Sequence, residues 1–179
     1  MYRKTDWNFS RYEEAVFARP CDPETVMYAA LDFCIAIVGL RDWTKKALVR
    51  KMRQDGSALP ASLAMLDDFA GFVTSRVHWQ PAIEAIANTA KHAEYRDTGW
   101  EKGIASPASF FPDYLRAEHE ACADGLQLFA FMHKYRQVTW WDLSLRQHGD
   151  QNATPGYEAL GGALDQWGSL LAELGYPAE

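Results

Sequence analysis

Asn88, Lys91, His92 and Tyr95 stand at i, i+3, i+4 and i+7 of the run Asn88-Thr89-Ala90-Lys91-His92-Ala93-Glu94-Tyr95. In a helix, that spacing lays an amide, an ammonium, an imidazole and a phenol along one face. The imidazole can take up and release a proton near neutral pH, the ammonium can hold an anion, and the amide can orient what is bound. Such a face suits proton transfer beside an anion and needs no metal. The same pattern also fits the solvent side of an ordinary amphipathic helix.

A second stretch, Arg41-Asp42-Trp43-Thr44-Lys45-Lys46-Ala47-Leu48-Val49-Arg50-Lys51-Met52-Arg53, sets six basic residues against one acid. Lys46, Arg50 and Arg53 share a helical face. The stripe is either a basic helix end, favoured there by the macrodipole and followed by the stop Gln54-Asp55-Gly56-Ser57, or a contact for phosphates. Trp43 is either core or a platform on which a base can stack. Asp42 either anchors a helix pair or, where the two helices are neighbours, salt-bridges Lys91 or orients His92.

Helices must position these groups, and the apolar spacing provides them. Asp22-Pro23-Glu24-Thr25 caps and opens a long helix that runs to about residue 52. Its apolar positions are Val26, Ala29, Ala30, Phe33, Ile37, Leu40, Ala47 and Leu48, with Gly39 a kink or a point of close packing. A short helix over residues 7–18 precedes it. After a break at residues 56–60, Ser62 caps a third helix that buries Leu63, Leu66, Phe69, Ala70, Val73 and Val77. His78-Trp79-Gln80-Pro81 interrupts it, and the next helix starts on Pro81 and buries Ile83, Ile86, Ala87 and Ala90, offset from the polar face.

Residues 96–107 read as loop, and residues 113–135 as a fifth helix with Leu115, Cys122, Leu126, Phe129 and Met132 inward. Residues 138–145 form a connector with short extended pieces, and residues 148–156 a loop. Leu160, Leu164, Trp167, Leu170, Leu171 and Leu174 mark a last helix over residues 157–174, in which Gly161, Gly162 and Gly168 permit close packing. The expected fold is all-α: one domain over residues 1–179, a bundle of four principal helices plus one or two additional ones.

Composition narrows the function classes. A formal net charge of −6 opposes non-specific attraction to nucleic acid or anionic membrane, so any such contact must be local. Cys21, Cys34 and Cys122 are odd in number and far apart, which argues against a disulfide framework or a thiolate zinc site. The expected setting is the reduced cytoplasm, without a membrane span, because the best apolar run, residues 33–40, is too short. His78, His92, His119, His133 and His148 form no His-x-x-x-His pair or Glu-x-x-His repeat, so no metal or cofactor is expected. The glycine-rich nucleotide loops and the Gly-x-Ser-x-Gly elbow are absent from the sequence.

Leu40-Arg41-Asp42-Trp43 at the end of an apolar helix, followed later by Ile86-Ala87-Asn88-Thr89-Ala90-Lys91-His92, resembles a group of uncharacterised bacterial helical proteins. That group pairs an Asp-Trp dipeptide with an Ala-Asn-x-x-Lys-His motif and ends in a Trp-containing helix, here around Trp167. The resemblance spans residues 22–174. The group in turn is similar to the HEPN-like superfamily of helical bundles, in which a polar residue and a histidine a few positions apart form an endoribonuclease site, often across a dimer.

The resemblance implies a metal-independent endoribonuclease or RNA-binding protein of a bacterial defence or toxin–antitoxin system, with RNA, a protein partner or antitoxin, and a second copy of the chain as partners. In it, His92 acts as acid or base, Lys91 clamps the phosphate and Asn88 orients, with Asp42 and Trp43 beside that face; Lys46 and Arg50 of the basic stretch and Tyr95 of the polar face are the further binding candidates. The arginine usual in the superfamily motif is missing, with Glu84 upstream and Lys91 the nearest cation. The alternative is a catalytically inactive helical bundle that serves as a protein-interaction module.

Overall fold

The computed structural model describes residues 1–56, 63, 66–91, 105–146 and 152–176. His92 and Tyr95 lie outside the described residues, as do the side chain of Lys91 and most of the loop expected at residues 96–107.

Helix α1 (Tyr2–Phe17) leads into α2 (Pro23–Asp55), the 33-residue helix that organises the fold. The Asp22 carboxylate accepts the Thr25 amide at 3.0 Å, Pro23 occupies the first turn, and Gly56 ends the helix in the left-handed conformation at φ 60°. Val26, Ala30, Phe33, Ile37 and Leu40 are buried along one side of α2 and hold α1 and α4 against it. Gly39 is no point of close packing, since a Cβ there would meet nothing within 4 Å. Taken whole, α2 is long and apolar enough to cross a bilayer, although its run at residues 33–40 alone is too short; a buried core helix passes the same test.

The third helix is much shorter than its apolar spacing predicts. A 3₁₀ turn (Leu66–Asp68) precedes α3 (Phe69–Thr74), and the chain turns through Val77 before α4 (Gln80–Lys91), with Pro81 in its first turn. Ile83, Ile86 and Ala87 are buried, as their spacing predicts. Gln80, with no exposed surface, joins them as a buried polar residue.

The fold is mainly helical but not all-α. Strand β1 (Ala105–Phe110) pairs antiparallel with β2 (Trp140–Leu145), from Ala105 opposite Leu145 to Phe110 opposite Trp140. A two-residue strand, β3 (Thr154–Pro155), completes the order β1-β2-β3. Residues 105–107 are therefore strand rather than loop, and the extended piece expected in the connector at residues 138–145 is β2, whose Leu143 and Leu145 enter the core. Pro107 is tolerated because β1 is an edge strand.

The fifth helix is broken in two. A 3₁₀ turn (Asp113–Leu115) and α5 (Arg116–Glu120) are followed by α6 (Gly125–Lys134). Asp124 starts the second piece by accepting the Gln127 amide at 2.8 Å, which cuts across the expected continuous periodicity. Leu115 and Met132 are buried in a small second cluster, whereas Leu126 and Phe129, expected inward, are 78% and 69% exposed.

Helix α7 (Gly156–Glu173) buries Leu160, Leu164, Trp167, Leu170 and Leu171. Its first turn is held by Asp142, whose carboxylate accepts the Tyr157 amide at 2.9 Å, the Leu143 amide at 2.7 Å and the Tyr12 hydroxyl. One buried acid thus ties α1, β2 and α7 together. Burial raises its pKa above the ordinary carboxylate value despite those three donors.

Candidate functional site

The basic stretch of α2 becomes a groove because α7 stops in a particular way. Gly175 adopts φ 75°, the Gly175 amide donates to Ala172 at 3.0 Å and the Tyr176 amide to Leu171 at 2.8 Å, the double bond pattern of a Schellman stop. That turn returns Tyr176 to α2, where its ring meets Trp43 edge-on at 6.0 Å and the Lys51 ammonium lies 5.6 Å from its centroid.

Trp43, Lys46, Ala47, Arg50, Lys51, Gln54 and Tyr176 line a groove of about 360 Å³. Three cations and two aromatic rings converge there, and among the described residues no carboxylate joins the lining. Lys46, Arg50 and Lys51 are exposed and form no salt bridge with a described residue. Of the residues predicted from sequence to bind, Trp43, Lys46 and Arg50 are brought together. Trp43 is 41% exposed, so it is not a core residue.

The expected meeting of Asp42 with Lys91 or His92 falls on side chains outside the described residues; within them, the α2–α4 contact is made by Arg41. The Arg41 guanidinium holds Asp42 at 2.8 Å and Glu84 on α4 at 2.5 Å. Glu84 also accepts the Gln80 side-chain amide at 2.8 Å, and Gln80 accepts the buried Trp167 indole N–H at 2.9 Å. A polar chain therefore runs from the core at Trp167 to the surface at Asp42. Burial works to lower the Arg41 pKa, but its hydrogen bonds to Asp42 and Glu84 outweigh that and hold it above the ordinary value.

Asn88 is half-buried one turn after Glu84, on the same side of α4. The Gln80 to Glu84 to Asn88 spacing of four was a readable signal, and a buried indole N–H usually finds an acceptor. The link of Glu84 to Arg41 was not readable, because it joins two distant segments.

Gln80→Leu keeps most of the volume but strips the indole of its acceptor. It is expected to cost about 1–3 kcal/mol in urea unfolding, the price of a buried donor left unpaired.

Among the described residues, no three His, Cys, Asp or Glu side chains are grouped so as to hold a metal ion. Comparison with protein-family models, with curated proteins and with solved structures gives no match to this chain.

Proposed function

We propose that the chain is an RNA-binding helical protein of the HEPN-like kind, a metal-independent endoribonuclease of a bacterial defence or toxin–antitoxin system. The observation that supports it is the groove of Trp43, Lys46, Arg50, Lys51 and Tyr176, which offers cations to a phosphate backbone and the exposed Trp43 ring, backed by half-buried Tyr176, to unstacked bases. In a chain of net charge −6, this local cluster concentrates the attraction that the whole surface lacks. In this reading α1, α2, α4 and α7 are the four principal helices of the bundle.

The proposed reaction is internal transfer at phosphorus. A base removes the 2′-hydroxyl proton, the 2′-oxygen bonds to phosphorus, and the 5′-oxygen leaves with a proton, which gives a 2′,3′-cyclic phosphate and a free 5′-hydroxyl. His92 exchanges the proton, Lys91 offsets the charge that grows on the phosphoryl oxygens, and Asn88 orients. This part rests on the motif rather than on the groove.

Fluorescence anisotropy with a labelled single-stranded RNA tests the binding claim. Replacing both Lys46 and Arg50 by alanine is expected to weaken binding at least tenfold near physiological salt. It should also flatten the slope of log K against log salt by about 1.4, two phosphate contacts at roughly 0.7 each. No binding by the unaltered protein, or an unchanged slope, overturns the claim. The exposed apolar stripe of α6 favours the second reading, a protein-interaction module without catalysis.

A further inference from the structure

A narrow cleft of about 480 Å³ runs between α6 and the α1–α2 connection. Its α6 wall is a single helical stripe, Gly125, Leu128, Phe129, Met132 and His133, which Arg136 extends just beyond the helix. Pro20, Cys21 and Pro23 of the connection and Trp141 of β2 supply the rest. At the helical rise the stripe is about 16 Å long, so the cleft averages roughly 30 Å² in cross-section, or about 6 Å across. An α-helix with its side chains is about 10–12 Å across and does not fit, whereas one extended hydrocarbon chain does.

Hydrogen bonding disfavours an extended peptide. Strand addition needs free main-chain donors and acceptors, and the two prolines offer no amide. The Trp141 amide already donates to the Cys21 sulfur at 3.4 Å, and the Cys21 thiol lies 3.8 Å from the Trp141 carbonyl oxygen and 3.5 Å from that of Ala15.

The polar groups left for a ligand stand at one end. His133 and Arg136 are exposed there, and Arg136 forms no salt bridge with a described residue. Among the described residues no carboxylate lines the cleft. The carbonyl end of α6 repels an anion, so the attraction falls to the guanidinium. At the other end Gly125 leaves room, since a Cβ there would meet nothing within 4 Å. Apolar walls with one cationic end complement an apolar chain with one anionic end.

We infer that this cleft binds a single-chain amphiphilic carboxylate of the fatty-acid class, with its head on Arg136 and its tail along Met132 and Phe129 toward Gly125. The inference stands whether or not the α2–α7 groove binds RNA.

Isothermal titration of the full chain with dodecanoate, kept below its micellar concentration, tests it beside dodecanol and dodecyltrimethylammonium. The expected result is one saturable site per chain that prefers the carboxylate to both. Arg136→Gln, at an exposed position, should weaken dodecanoate binding by at least about tenfold and leave dodecanol unchanged. Gly125→Leu puts a side chain into the open tail end, and should weaken dodecanoate while sparing octanoate. Circular dichroism of both variants should match the unaltered protein. Absence of saturable binding, equal binding of the cationic amphiphile, or indifference to either substitution overturns the inference. A dodecanoate affinity that falls as the protein concentration rises assigns the cleft to a second copy of the chain, and overturns it too.

Discussion

Alanine in place of His92 is expected to slow metal-independent RNA cleavage by about 10²–10⁴-fold, the usual range for loss of a positioned general acid or base. The measurement is the rate at which purified protein cuts total RNA and tRNA with a chelator present. Lys91→Ala should cost nearly as much, because charge accumulates on the phosphoryl oxygens in the transition state and an amide such as Asn88 does not offset it. Lys91→Arg sharpens the test. A guanidinium can grip two oxygens where an ammonium offers a point charge, so this variant should cut faster than the unaltered protein. Absence of cleavage, with all variants folded and still bound to a partner, removes the nuclease and leaves the interaction module.

Gly156→Ala is expected to lower stability by about 3 kcal/mol, read from the urea midpoint. A Cβ at residue 156 would stand 2.6 Å from the Tyr12 hydroxyl oxygen, 2.7 Å from the Leu143 Cβ and 2.9 Å from an Asp142 oxygen. The Leu143 Cβ is fixed to its strand, so β2 or the start of α7 must move. Either movement pulls Asp142 away from the Tyr157 amide, the Leu143 amide or the Tyr12 hydroxyl, and those bonds hold three elements together.

Gly162→Ala on the same helix supplies the contrast, since a Cβ there meets nothing within 4 Å. It should raise stability by about 0.5–1 kcal/mol through helix propensity alone. Equal effects from the two substitutions would refute the steric account.

The helices with strong local signals were legible. Asp22-Pro23-Glu24 did open α2, Gly56 did close it, and Pro81 does stand in the first turn of α4, although α3 already ends at Thr74, before His78. The close packing expected of the α7 glycines holds at Gly161, which Phe9 approaches, and at Gly168, which Tyr2 approaches, but not at Gly162.

The sheet was not legible as such. Residues 105–110 and 138–145 are both short, and only pairing across a long sequence separation makes them strands. The inward assignment of Leu126 and Phe129 failed because apolar spacing cannot tell which of two apolar sides of a helix meets the core.

Of the candidate site, Trp43, Lys46 and Arg50 could be named because they share one helix. Their completion by Tyr176 depends on the turn at Gly175, which only the folded chain displays.

The most direct measurement is photo-crosslinking of the protein to a single-stranded RNA that carries 4-thiouridine, with the adducts located by mass spectrometry. Adducts concentrated on residues 43–54 and on Tyr176, and lost when Lys46 and Arg50 are both alanine, are the predicted result. RNA that binds but crosslinks elsewhere, for example along α6, contradicts the claim that this basic and aromatic groove holds the strand.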